Sequence, residues 1–438
     1  MSTAMGRMQR AASRVPWSFW PVFGVLLLLP FGRSSEAALL ACAIVGVVAL
    51  WRRPVPLVAS PGLRLALLLV GLYVLAALLS AADAVAPDKS WSTVAGLLRF
   101  LPFVLGMIVL LPDGHALRRL YAAIALLVGL WLLDAWVQAF TGWSLGGADS
   151  GDRLSGIFGA DNLKLGPVLA VLSPFVLATA RRWLGTRGQW LAAVLLLGPI
   201  LLAGSRAAWL MFALVLLALL WRQTRSWRQF ALWLGAIGVL GLLAAGVAWR
   251  TSPDFEARAQ RTLKLTRPSV EAWNTALAGR LSIWFTSARM VAAHPVNGVG
   301  VRGFRYAYPD YAAPGDQFVA LGDGDTGAFH AHQWVLEVLT ETGIIGLVLW
   351  CIGIAAAFAA WRRAGPDARE RAFPVTLALA VMLFPLNTHY AFYSAWWGLL
   401  FWWLLALWCA AISGVQPGGG GAVPRLEPRS AGRRQRPA

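Results

Sequence analysis

The sequence predicts an all-α integral membrane protein of about 12 transmembrane helices, with a helical extracytoplasmic subdomain between spans nine and ten. Three observations predict it. The 438 residues are 58% hydrophobic and only 13% charged, against about 25% charged in an ordinary soluble domain. The mean hydropathy is +0.62. The apolar residues also fall in long unbroken runs, not in the alternating ten-residue segments of a membrane barrel.

A spanning helix needs roughly 20 apolar residues. Candidate spans lie at 17–31, 36–51, 63–81, 91–111, 117–140, 162–180, 188–204, 206–221, 229–249, 332–361, 372–390 and 392–412. Arg7, Arg10 and Arg14 precede the first, as in a signal peptide. Eleven further spans favour an uncleaved helix instead. The chain then divides into a cytoplasmic tail (1–16), spans one to nine (17–249), the subdomain (250–331), spans ten to twelve (332–412) and a basic, disordered cytoplasmic tail (413–438). The second tail, with its Gly run and scattered Arg, suits contact with anionic lipid.

Orientation follows the basic residues. With the N-terminus in the cytoplasm, the cytoplasmic segments hold 23 Arg against four acidic residues. Most of the net charge of +18 is therefore a topology signal, and nucleic-acid binding is a poor reading. Cys42, Cys351 and Cys409 lie inside apolar runs, as small core residues rather than a disulfide framework or zinc site.

Residues 250–331 are unlike the other outer segments. Nine basic and seven acidic residues leave them nearly neutral. The stretch 254–266 reads as a short amphipathic helix, and 271–293 as a second that ends at His294-Pro295. Gly298, Gly300 and Gly303 follow among aromatics, then a polar loop around Asp323-Gly-Asp325. Long ordered connections tend to be functional.

A few side chains could carry chemistry. His332 opens the tenth span. One straight helix over 332–361 would extend about 45 Å, against a hydrocarbon core of about 30 Å, so His332 is expected above the outer membrane surface. A neutral imidazole there suits a general base; the plainer reading is an interfacial residue. On that helix Glu337 and Glu341 face away from His332. Arg206 opens span eight, where a buried guanidinium is costly and functional by default. Arg99 inside span four is similar. Arg280 precedes Trp284 by one helical turn, which would allow stacking; otherwise it is an ordinary solvated Arg. Asp323-Gly-Asp325 has the form of a metal or sugar-nucleotide motif, but such sequences are common in turns. Asp134, an acid within span five, could mark an ion path.

Several of these residues fall into motifs. Arg206-Ala-Ala-Trp-Leu210, Gly279-Arg280 with Trp284, His294-Pro-Val-Asn-Gly-Val-Gly300, and His332-Gln-Trp-Val-Leu336 with Glu341-Thr-Gly343 occur in this order. Together they resemble the O-antigen ligase and polymerase superfamily of bacterial envelope glycosyltransferases. Gln333 stands where the family usually has Asn or Ser.

The resemblance implies an enzyme of the bacterial inner membrane with both termini cytoplasmic and an active site facing the periplasm. It implies transfer of a glycan from an undecaprenyl diphosphate carrier to lipid A–core (ligase) or to another lipid-linked repeat (polymerase). It implies His332 as base and Arg206 and Arg280 on the diphosphate. His330, Arg302, Arg99 and Glu341 are candidate supporting residues. No metal or cofactor is expected, because arginines suit a diphosphate leaving group. A polyprenyl-linked glycan transporter is the reading from another class. It would be expected to carry more charge through its spans.

Overall fold

The structure, a computed structural model, describes residues 19–52, 60–111, 114–148, 153–160, 162–266, 269–321 and 325–413. The N-terminal tail, residues 414–438 and the Asp323 half of the acidic turn lie outside the described residues. The fold is α-helical, and a two-stranded hairpin (Trp143–Ser144 with Gly147–Ala148) holds the only strands among the described residues.

The bundle helices are α1 (Phe19–Leu27), α2 (Ser34–Arg52), α3 (Pro61–Ala81), α4 (Pro87–Leu97), α5 (Phe100–Leu110), α6 (Gly114–Thr141), α7 (Leu165–Leu202), α8 (Arg206–Gln223) and α9 (Trp227–Thr251). After a set of shorter helices come α15 (Trp334–Arg363), α16 (Pro366–Met382) and α17 (Ala395–Ile412). Among the described residues nine helices, with α4 and α5 counted together, are long and apolar enough to cross a membrane. This is a multi-pass membrane protein.

The sequence reading agrees with these helices at α7 and differs at α1 and α16. The 38 residues of α7 are two spans folded at Gly185 (φ 73°, ψ −168°). A Cβ on Gly166, near the start of α7, would lie 2.9 Å from the Cβ of Ala203, just past its end, so the two arms are antiparallel. Helices α1 and α16, at 9 and 17 residues, are shorter than the runs read from the sequence. Helix α16 stops at Met382 because Pro385 follows and disfavours helix just before itself.

Close approach in the bundle relies on small residues. Gly46 of α2 and Gly106 of α5 meet backbone to backbone. Helix α17 is the most enclosed, with Trp402 and Trp403 buried; the Trp403 indole donates to Val22 O at 2.9 Å.

The subdomain comprises α10 (Pro253–Leu263), α11 (Val270–Ala276), α12 (Arg280–Ala293), α13 (Phe304–Tyr311) and α14 (Gln317–Ala320). The sequence joins α11 and α12 into one helix. The chain breaks there because Ala278 and Gly279 take positive φ (55° and 79°). A small core of Ile283, Met290, Phe304 and Tyr308 holds the subdomain together. It lies at the bundle end that carries the 82–86, 203–205 and 383–394 connections. Val85 N–H donates to Val299 O at 3.0 Å, and Ser90 Oγ–H to Val301 O at 2.9 Å.

Candidate active site

Helix α15 is not straight. In an unbroken helix Trp334 and Trp350 would lie about 24 Å apart, yet their ring centroids are 5.5 Å apart. The chain reverses at Gly343 (φ 63°, ψ −165°), so residues 334–342 run back alongside 344–352. The reversal leaves backbone groups without helical partners, and the subdomain supplies them. Ile344 N–H donates to Pro295 O (2.9 Å), Ile345 N–H to Val296 O (3.3 Å), and Val299 N–H to Thr340 O (2.8 Å). The His294–Gly300 motif is thus the wedge in the break. Gly298 (φ 70°) allows the approach: a Cβ there would come within 2.6 Å of Thr340 O.

His332 consequently does not crown a projecting helix, as a straight span would require. It precedes the returning arm, in a left-handed conformation (φ 52°) that costs a non-glycine residue about 1–3 kcal/mol. Gln333 caps the arm: its Oε1 accepts from Leu336 N–H (2.6 Å), and its Nε2 donates to Pro385 O (3.1 Å). The His332 Nδ1 lies 3.1 Å from Thr388 O. A carbonyl only accepts, so Nδ1 carries the hydrogen and Nε2 keeps its lone pair. His330 Nδ1 accepts from His332 N–H (3.1 Å), and the two rings lie 3.9 Å apart. Burial and the Arg280 charge push the His332 pKa down to about 4. Burial and His332 hold His330 well below the usual imidazole range. Both rings are neutral at pH 7.

The arginines approach from two sides. Arg206 begins α8 behind the Ser205 cap, whose Oγ accepts from Ala208 N–H. Its guanidinium reaches up to the subdomain, donating to Ala276 O and to Thr262 Oγ1 (3.4 Å). Arg280 begins α12 just past the left-handed Gly279. Its buried Nε has no hydrogen-bond partner among the described residues. Burial, then the charges of Arg206 and Arg153, lower its pKa to about 10. Arg206, Arg280 and His332 are therefore electrostatic neighbours, and neither Arg206 nor Arg280 pairs with a carboxylate among the described residues. Trp284, expected beneath Arg280, donates its indole N–H to Ala331 O (3.1 Å) and fixes the segment leading into His332.

The other residues singled out in the sequence take different positions. Glu341, fully buried, accepts from Arg302 N–H at 2.8 Å, where Arg302 has positive φ (60°). Glu337, also buried, accepts from Phe392 N–H at 3.2 Å and so fixes the connection that presents Thr388. Arg99 is paired with Glu36 at 3.0 Å. Asp134 accepts from Leu145 N–H at 2.7 Å, so the acid read as a mark of an ion path anchors a loop. Asp325 is exposed.

The sequence reading misses three groups. Thr388 is silent in sequence because it acts through its carbonyl. His389 lies beyond the end of α16, inside a run taken as helix; burial, His332 and Arg280 lower its pKa to about 3. Arg153 sits in the polar connection between spans five and six, on the same bundle end as Arg206, and that placement was the available signal.

Residues 191–351 match a family described as O-antigen ligase. The match includes Arg206, Arg280 and His332 and excludes Arg153 and His389. No curated protein matches the chain.

Proposed function

We propose that this chain, whose residues 191–351 match a family described as O-antigen ligase, joins a glycan from undecaprenyl diphosphate to a sugar hydroxyl of lipid A–core, on the periplasmic face of the bacterial inner membrane. Both termini are then cytoplasmic. The observation that carries this is the contact of His332 Nδ1 with Thr388 O at 3.1 Å, which leaves the Nε2 lone pair to take a proton, set beside arginines. Such a site can take a proton and hold an anion at once.

In the proposed step the acceptor oxygen bonds to the anomeric carbon while the bond from that carbon to the diphosphate oxygen breaks. The hydroxyl proton passes to His332 Nε2. The electron pair leaves on the diphosphate, where Arg206 and Arg280 stabilise the developing charge. A single displacement inverts the anomeric centre. Arginine suits the leaving group because its fork donates bidentately and stays charged, and the step needs no metal.

The test is a reaction of purified protein in EDTA with lipid-linked glycan and lipid A–core. Glycan on lipid A–core is the expected product. Longer lipid-linked glycan would identify a polymerase, and restoration of lost turnover by magnesium or manganese would overturn the metal-independent step.

A further inference from the structure

We propose that Arg153 is a third arginine of the anion site and grips the same diphosphate as Arg206 and Arg280. The inference rests on the donor-site reading above. It starts from backbone geometry. Leu154 N–H donates to Leu202 O at 3.3 Å, and Leu202 ends α7 immediately before the short turn into Arg206. The backbone of Arg153 thus lies beside the segment that presents Arg206, although the two are more than fifty residues apart in sequence.

Two buried polar side chains of α6 fix that placement. Gln138 Oε1 accepts from Ser155 N–H (3.1 Å) and Gly156 N–H (2.7 Å), while its Nε2 donates to Ser155 Oγ (3.3 Å). Asp134 accepts from Leu145 N–H at the other end of the loop. Phe158 packs edge-on to Trp131, with centroids 5.5 Å apart. Burying an amide and a carboxyl in an apolar bundle is unfavourable unless they are hydrogen-bonded. Here both bond the backbone of one connection, and among the described residues between those two anchors the charged side chain is Arg153.

The electrostatics agree with the placement. The Arg153 charge bears on Arg280 and on His389, so it lies on the same side of the site as both. Gathering like charges raises their mutual repulsion, and a polyanion relieves it. A diphosphate offers several oxygens to separate guanidinium forks. Arg153 would enter from the bundle loop, Arg280 from the subdomain and Arg206 from the helix start between them.

The experiment titrates inorganic pyrophosphate into the purified full-length protein and its Arg153→Ala, Arg206→Ala and Arg280→Ala variants, with thermal unfolding as the folding control. A charge-assisted hydrogen bond implies a loss of roughly tenfold or more in affinity for Arg153→Ala. Arg153→Lys should recover only part of it, and the KM for the lipid-linked donor should rise more than kcat falls. A residue that merely braces the loop would lower the melting midpoint and leave pyrophosphate affinity alone. If Arg153→Ala does not fold, Arg153→Gln keeps much of the side chain's bulk and hydrogen bonding without its charge and is read the same way. Unchanged binding in the Arg153 variant, with weakened binding in Arg206→Ala and Arg280→Ala, overturns this assignment alone. Unchanged binding in all three, or no binding by the unaltered protein, overturns the donor-site reading and this proposal with it.

Discussion

Two long apolar helices of this chain fold back on themselves at a glycine, and they do so for different reasons. Helix α7 turns at Gly185, near Arg181, Arg182 and Arg187, and nothing lies within 4 Å of where a Cβ would be. That turn is an ordinary interfacial loop marked by basic residues. Helix α15 turns at Gly343 with no basic residue near it in sequence, and its missing Cβ would collide with Val296 O. That turn is made by tertiary contact, with the His294–Gly300 segment inserted in the break. The first reversal makes two membrane spans. The second puts a short buried arm under the subdomain and places His332 at its tip, against Thr388 O. Loops that answer to solvent announce themselves in composition, whereas loops that answer to another part of the chain do not.

The sharpest way to break the comparison is Gly343→Ala. Positive φ and the Val296 contact act together, with the backbone strain alone about 1–3 kcal/mol. Loss of glycan transfer and a lower unfolding midpoint are expected; an alanine variant with full turnover would show that the reversal does not set the site. Next, Arg206→Lys and Arg280→Lys should each fail to restore what alanine removes, because lysine keeps the charge and loses the planar fork. Initial rates of transfer by the two lysine variants check this, and near-normal rates would make either residue a mere topology or solubility charge.

A smaller effect is expected from acid. His332 binds a proton only near pH 4, so its basic form persists well below the pH at which an ordinary imidazole protonates. The free-enzyme profile, kcat/KM against pH, should stay level from pH 7 to about pH 5 and fall as pH drops through about 4. A half-loss near pH 6.5 would mean that burial and Arg280 do not act on this imidazole. Smallest of all is Gly185→Ala: strain of roughly 1–3 kcal/mol at positive φ with no collision beside it, a modest drop in melting midpoint, and transfer unchanged.

Much of this was legible in the chain. The α-helical, multi-pass character followed from apolar length, and the reversal at Gly185 was visible because arginines interrupt the run. Arg206, Arg280 and His332 stood out through order and motif. The fold-back of α15 was not legible, since residues 332–361 are apolar enough to read as one helix and Gly343 acquires its meaning only from Pro295 and Val296. Glu337 and Glu341 looked remote from His332 on a straight helix. They matter through the segments they hold, at Phe392 and Arg302. His389 was hidden by a helix that stops at Met382, and Arg153 by a loop whose anchors, Asp134 and Gln138, sit in an apolar span.

The central claim is that the imidazole of His332, oriented by Thr388 O, takes the acceptor proton. The most direct measurement is the initial rate of glycan transfer by purified His332→Ala, with donor binding and thermal unfolding measured on the same preparation. The account predicts a fall of about 10²–10⁴ in rate, with donor affinity and fold retained. Near-normal turnover in that folded variant would contradict it.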